Sequence, residues 1–80
     1  MLLKEMWTEA PRVDLEGSNQ MRFENYVSIL EFSDQRLRLR MKEVVYELQG
    51  THLMIRGVTK REIFVEGEFQ SLQIIKEETP

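Results

Sequence analysis

His52 is the single histidine of the chain, and it is the residue around which a metal or proton-transfer site could form. The alternation of apolar and polar residues predicts Glu47 opposite His52, with Glu66 beside it. A histidine with two carboxylates could hold a metal ion or move a proton. A cross-strand pair on a solvated sheet face explains the same residues more simply, so we expect no catalytic residue, no metal and no cofactor.

Composition removes several other chemistries. The chain has no cysteine, and therefore no thiol nucleophile, disulfide or zinc ribbon. No nucleophile elbow, glycine-rich phosphate loop or dinucleotide fingerprint occurs in the sequence, which has four scattered glycines. We expect a protein that is not an enzyme.

Three arginines at alternate positions, Arg36, Arg38 and Arg40, form the strongest charge feature. On a strand they would share one face, where guanidinium groups could bind an anionic polymer or a membrane surface. Against this, strand pairing predicts Glu31 across from Arg36 and Glu47 across from Arg38. The net charge of −3 also argues against a nucleic-acid partner.

The elements that position these residues are strands, because apolar and polar residues alternate at period two along most of the chain from Met21 onward. We expect an all-β domain, an antiparallel meander of about six or seven short strands that forms a curled sheet, a small barrel or two layers. It would span residues 11–76, between a short N-terminal helical or irregular segment (1–10) and a tail (77–80). The segment could be a lid, a frayed terminus or an anchor. The predicted turns are Ser33-Asp34, Lys42-Glu43, Gln49-Gly50, Gly57 to Arg61 and Glu66-Gly67.

These turns fix a register. They set Leu30 opposite Leu37, Leu37 opposite Leu48, Leu39 opposite Tyr46, Tyr46 opposite Leu53, and Ile55 opposite Ile63. A core is predicted on the face that these residues share: Leu30, Phe32, Leu37, Leu39, Met41, Val44, Tyr46, Leu48, Leu53, Ile55, Ile63 and Val65.

Five other apolar residues are candidates for a partner surface. Met54 and Phe64 are predicted to pair across strands on the mostly polar face, either as a docking patch or buried under the N-terminal segment. Leu72, Ile74 and Ile75 have no assigned partner in the chain and would form a sheet edge. We therefore expect a homo-oligomer that uses one or both groups.

Glu62-Ile63-Phe64-Val65-Glu66-Gly67, with Leu48-Gln49-Gly50 and Leu53-Met54-Ile55, resembles the YabP/YqfC family of sporulation proteins, on the YqfC side. The resemblance spans roughly residues 11 to 75, and departs from the family at Arg40 to Glu43, where relatives carry a glycine or small-residue turn. It implies a structural role in assembly of the spore coat or cortex, with other sporulation proteins as partners, among them an integral-membrane one. It also implies a cytoplasmic protein of the mother cell, or one peripheral at the forespore surface.

Overall fold

The computed structural model describes residues 10–76, which form one antiparallel sheet of six strands in the order β1-β2-β6-β5-β4-β3. The prediction of an all-β antiparallel fold is confirmed. The predictions for residues 1–9 and 77–80 lie outside the described residues. The strands are β1 (Arg12–Glu16), β2 (Gln20–Glu24), β3 (Ser28–Phe32), β4 (Arg36–Arg40), β5 (Val44–Val58) and β6 (Glu62–Lys76).

β5 and β6 are each 15 residues long. Their pairing has register shifts between Gln49 and Gly57, and such irregularities bend the strands near their middle. A Cβ atom on Gly50 would lie 2.1 Å from the carbonyl oxygen of Glu68, so the backbones approach too closely there for any side chain. Gly67 has a φ of +152°, which favours glycine, and His52 has a φ of 56° at a bulge in β5. The predicted hairpin at Gln49-Gly50 is therefore wrong, because this glycine permits close approach of two strands and not a turn.

The bends divide the sheet into two halves that share β5 and β6. The first half-sheet contains β3, β4, residues 44–51 and residues 68–76; the second contains β1, β2, residues 54–58 and residues 62–66. In the second half, Phe23 and Val58 lie on either side of Ile63, so Phe23 is level with Val58 along the strands. Val58 is twelve positions after Tyr46 on β5, so a flat sheet would place Phe23 roughly 40 Å or more from Tyr46. The rings of Phe23 and Tyr46 are 6.3 Å apart. The sheet is therefore folded back on itself.

The register produces four rows of apolar residues on the inner face. Each row runs across four neighbouring strands and contains one residue from each strand. The buried members of the rows form the core, and most of the row ends are exposed. The rows are Phe32-Leu37-Leu48-Leu72, Ile29-Leu39-Tyr46-Ile74, Val13-Phe23-Ile63-Val58 and Leu15-Met21-Val65-Ile55.

The hairpin at Lys42-Glu43 has the predicted register, with Leu39 opposite Tyr46 and Leu37 opposite Leu48. Leu39 is fully buried, while Tyr46 is partly buried against the core. The sequence pattern identified this turn because its two strands alternate cleanly on both sides.

Two other hairpins turn at different residues from those predicted. The Ser33 hydroxyl accepts hydrogen bonds from the backbone N–H groups of Gln35 and Arg36, which places the turn at Asp34-Gln35. The Thr59 hydroxyl does the same for Arg61 and Glu62. The registers shift accordingly: Phe32 and not Leu30 lies opposite Leu37, and Val65 and not Ile63 lies opposite Ile55.

The core differs from the prediction at its margins. Leu30 lies at a bulge in β3 and is exposed, as is Phe32 at a row end, so neither belongs to the core. Met21 and Phe23 are buried although the sequence did not assign them. Val45 is buried on the outer face, opposite Ile75.

No helix within residues 10–76 is long and apolar enough to cross a membrane.

Candidate interaction surfaces

The arginine stripe lies on the outer face of the first half-sheet, within an ion-pair network. Arg36 lies 3.8 Å from Glu31 and 3.8 Å from Glu47. Arg38 lies 4.0 Å from Glu31 and 3.5 Å from Glu47. Arg40 follows on the next strand position of the same face, opposite Val45. The two ion pairs expected from the sequence, Arg36 with Glu31 and Arg38 with Glu47, are both present.

This network neutralises much of the charge that an anionic ligand would need. Glu47 is the most buried of the four side chains in the network. Because both arginines lie close to its carboxylate, their guanidinium groups are drawn toward the sheet and away from solvent. A phosphate group would have to compete with two carboxylates already close to each guanidinium. The geometry therefore favours a salt-bridged strand face over an anion-binding site.

His52 is exposed at the bulge of β5 and does not face Glu47. The neighbouring pairs are Thr51 with Glu68 and Met54 with Glu66, whereas Glu47 lies between Arg38 and Gln73. The predicted pairing is wrong because β5 runs on without a hairpin. Among residues 10–76, no three His, Cys, Asp or Glu side chains are grouped so that they could hold a metal ion.

Phe64 and Met54 both lie on the outer face of the second half-sheet, in adjacent rows. Phe64 lies between Arg22 and Gly57, and Met54 lies opposite Glu66, so the predicted direct pairing of these two residues is wrong by two positions. The ring of Phe64 comes within 3.4 Å of the position that a Cβ on Gly57 would take. The aromatic ring thus covers the bare backbone of the neighbouring strand.

A shallow depression of about 340 Å³ surrounds Phe64. Its rim is polar: the Arg56 guanidinium lies 3.4 Å from Glu66, and Gln20 donates a hydrogen bond of 3.5 Å to the same carboxylate. An apolar ring within a charged rim is the kind of surface that could accept an apolar group. It is lined by Glu16, Gln20, Met21, Arg22, Arg56, Gly57, Phe64, Val65 and Glu66.

Arg22 links neighbouring strands on the outer face of the second half-sheet, the face that carries Phe64. It donates a hydrogen bond to Asp14 on β1 and lies 3.8 Å from Glu62 on β6, so it links three strands. The hydrogen bond from Arg22 lowers the pKa of Asp14 below its ordinary value, and the same contact raises the pKa of Arg22.

Leu72, Ile74 and Ile75 lie in β6, opposite Leu48, Tyr46 and Val45. The prediction that they have no partner in the chain is therefore wrong. The other side of this strand is different: the Gly67 N–H donates to the carbonyl oxygen of Asn19, and among residues 10–76 no strand pairs beyond that point. Residues 68–76 thus form one edge of the first half-sheet.

Exposed row ends are the feature that sequence reasoning missed. Ile29 and Phe32 on β3 face the same way as Leu72 and Ile74 on β6, at the opposite edge of the first half-sheet. Only the pairing across four strands shows that these residues share rows. Ile29 and Phe32 are three positions apart, so regular alternation would place them on opposite faces. A bulge between them puts both on the inner face, and this odd spacing of two apolar residues was the available sequence signal.

Comparison with known proteins gives one family and one relative. The model of the YabP family matches residues 8–80. The uncharacterized protein YqfC of Bacillus subtilis strain 168 is 25% identical over 68 residues, which cover 85% of this chain and 73% of that protein. No solved structure matches the chain. The resemblance to the YabP/YqfC family, read from roughly residues 11–75, is confirmed.

Proposed function

Because the chain belongs to the YabP family, we propose that it is a non-enzymatic sporulation protein that helps to build the spore envelope through protein contacts. It acts in the mother cell, at or near the forespore surface. Its partners are other sporulation proteins, among them an integral-membrane one.

The observation that carries this proposal is the exposure of apolar rows on the inner face. Ile74 and Leu15 are 63% and 59% exposed, although each continues a row whose central members are buried or partly buried. A domain of this size has few apolar residues to spare, since they also supply its stability. Apolar side chains that continue a core outward are what a protein-binding surface requires.

The charged groups support the same proposal by what they already contact. Arg22, Arg36, Arg38 and Arg56 each lie within 4.0 Å of a carboxylate of the same chain. Surface ion pairs of this kind add little stability, but they give a binding surface a defined polar rim. Exposed apolar row ends beside ion-paired arginines suit a protein partner better than an anionic polymer.

Deletion of the gene in an endospore-forming host that encodes this chain tests the proposal. We expect fewer heat-resistant spores and normal vegetative growth. Restoration by the unchanged chain, and failure of restoration by Leu15→Lys, would tie the defect to the exposed apolar rows; Lys60→Ala, in an exposed turn, is the matched control. An unaltered spore count after deletion would contradict the proposed role.

Capture of partners from sporulating cells gives an independent readout. A tagged chain should retain sporulation proteins in a buffer of high ionic strength, because apolar contacts resist salt and phosphate contacts do not. The Leu15→Lys chain serves as the negative control. Retention that disappears at high salt, and is unaffected by Leu15→Lys, would contradict a contact through the exposed apolar rows.

A further inference from the structure

The edge formed by residues 68–76 differs from the other edges of the two half-sheets. Residues 69–75 contain no charged residue, no glycine and no proline. Pairing with β5 is regular from Ser71 to Lys76, so the outer side of this stretch presents an even row of backbone groups. Nothing in this stretch discourages another strand from pairing with it.

The other edges carry the features that prevent such pairing. β1 has a charged residue at every second position, Arg12, Asp14 and Glu16. β3 is interrupted by a bulge between Ile29 and Glu31. The edge at residues 54–58 is irregular between Ile55 and Gly57 and carries Arg56. Only residues 71–75, among the edges of the described sheet, are both regularly paired and uncharged.

The edge is also complementary to itself. An antiparallel pair of copies related by a two-fold axis at Gln73 sets Leu72 opposite Ile74 of the second copy, and Ile74 opposite its Leu72. Both residues lie on the inner face, so each meets an apolar neighbour. A register centred on Leu72 would instead set Ile74 opposite Gln70, and one centred on Ile74 would set Leu72 opposite Lys76. The two-fold axis at Gln73 is the arrangement that the side chains favour.

We propose that a second copy of this chain pairs antiparallel with residues 70–76, with the two-fold axis at Gln73. The two four-stranded half-sheets then become one continuous eight-stranded sheet. The rows that end at Leu72 and Ile74 continue into the rows of the second copy, which shields Ile74, the most exposed large apolar residue within residues 10–76, from water. This inference concerns the purified chain alone and stands whether or not the proposed function holds.

Sedimentation of the full-length chain at concentrations up to about 100 μM is the first test. The wild-type chain should sediment at twice its mass of 9.6 kDa. Ile74→Lys should sediment as a single chain, because it places a charge at the paired edge. Val58→Lys is the matched control, since Val58 is a row end of similar exposure on the other half-sheet, and it should remain a dimer. Circular dichroism and denaturant midpoints establish that both variants are folded.

Cysteine pairing tests the register, and the chain has no cysteine of its own. Gln73→Cys places two thiols opposite each other at the axis, where mild oxidation should link two chains. Gln70→Cys is the control on the same strand, since its two copies would be roughly 20 Å apart. Linkage at position 73 and not at 70, together with a dimer that Ile74→Lys alone disrupts, supports the proposal. A monomeric wild-type chain, equal effects of the two lysine variants, or linkage at 70 without 73 would overturn it.

Discussion

The ring of Phe23 meets the ring of Tyr46 nearly edge-on, with 6.3 Å between the ring centres and 60° between the planes. Phe23 belongs to β2 and Tyr46 to β5, two strands separated in the sheet by β6. This contact joins the two half-sheets across the core, and edge-to-face pairs stabilise beyond the area that they bury. It also identifies the residue most suited to test the folded-over architecture.

Phe23→Ala should lower the free energy of unfolding by about 3–5 kcal/mol, because the fully buried ring is removed and a cavity remains. Phe32→Ala removes the same group from a row end that is 42% exposed, and it should cost far less. Urea denaturation of both variants measures the difference. Equal losses would mean that the inner face of β2 is not part of the core.

Gly50→Ala should destabilise the domain by about 2 kcal/mol or more, because the added Cβ would lie 2.1 Å from the Glu68 carbonyl oxygen and the strands would have to separate. Gly57→Ala meets the Phe64 ring at 3.4 Å and should be tolerated. Denaturant midpoints compare the two variants. A well-tolerated alanine at position 50 would argue against close approach of β5 and β6 at the bend.

Asp14 should make the free energy of unfolding of the domain depend on pH in the acidic range. Its pKa in the folded protein is lowered by the hydrogen bond from Arg22, so its contribution is present above the unfolded pKa of about 4 and is lost as the pH falls through the folded pKa. Arg22→Gln should raise the pKa of Asp14, followed by NMR of the carboxyl carbon. Asp14→Asn should lose less stability than the wild type between pH 7 and pH 3. Identical acid profiles would show that the contact does not persist in solution.

Removal of the carboxylates beside the arginine stripe should strengthen binding to anionic surfaces. The double variant Glu31→Gln and Glu47→Gln frees the guanidinium groups of Arg36 and Arg38 from their partners. We expect it to bind vesicles of anionic lipid at low ionic strength and to release them as salt is added. The wild-type chain is the control, and strong vesicle binding by it would favour the anionic-surface alternative over a protein partner.

The sequence predicted the fold class and one hairpin, and the reasons are local. Leu39 and Tyr46 could be paired because a two-residue turn at Lys42-Glu43 separates two strands with clean alternation. Ser33 and Thr59 mark the true starts of the neighbouring turns, and their hydroxyl groups cap the turn backbone. A serine or threonine at such a position is a weaker sequence signal than glycine.

The long strands could not be predicted, because glycine has two structural uses that a single sequence does not separate. Gly50 was interpreted as a turn, whereas it allows β5 to pass close to Glu68. That error removed the first half of β5 from its true pairing with β6 and left Leu72, Ile74 and Ile75 unassigned. The burial of Phe23 escaped detection for another reason: its partner Ile63 lies 40 positions later in the chain, beyond the reach of local alternation.

The place of β2 in the sheet has a consequence during protein synthesis. β2 pairs with β1 and with β6, so its Met21 and Phe23 meet Val65 and Ile63 only after the last strand has left the ribosome. Until then the first hairpin is a two-stranded ribbon, which is marginally stable in water. The nascent chain must therefore carry exposed apolar residues until β6 has been synthesised, and it completes its core in one step, when β6 pairs with both β2 and β5.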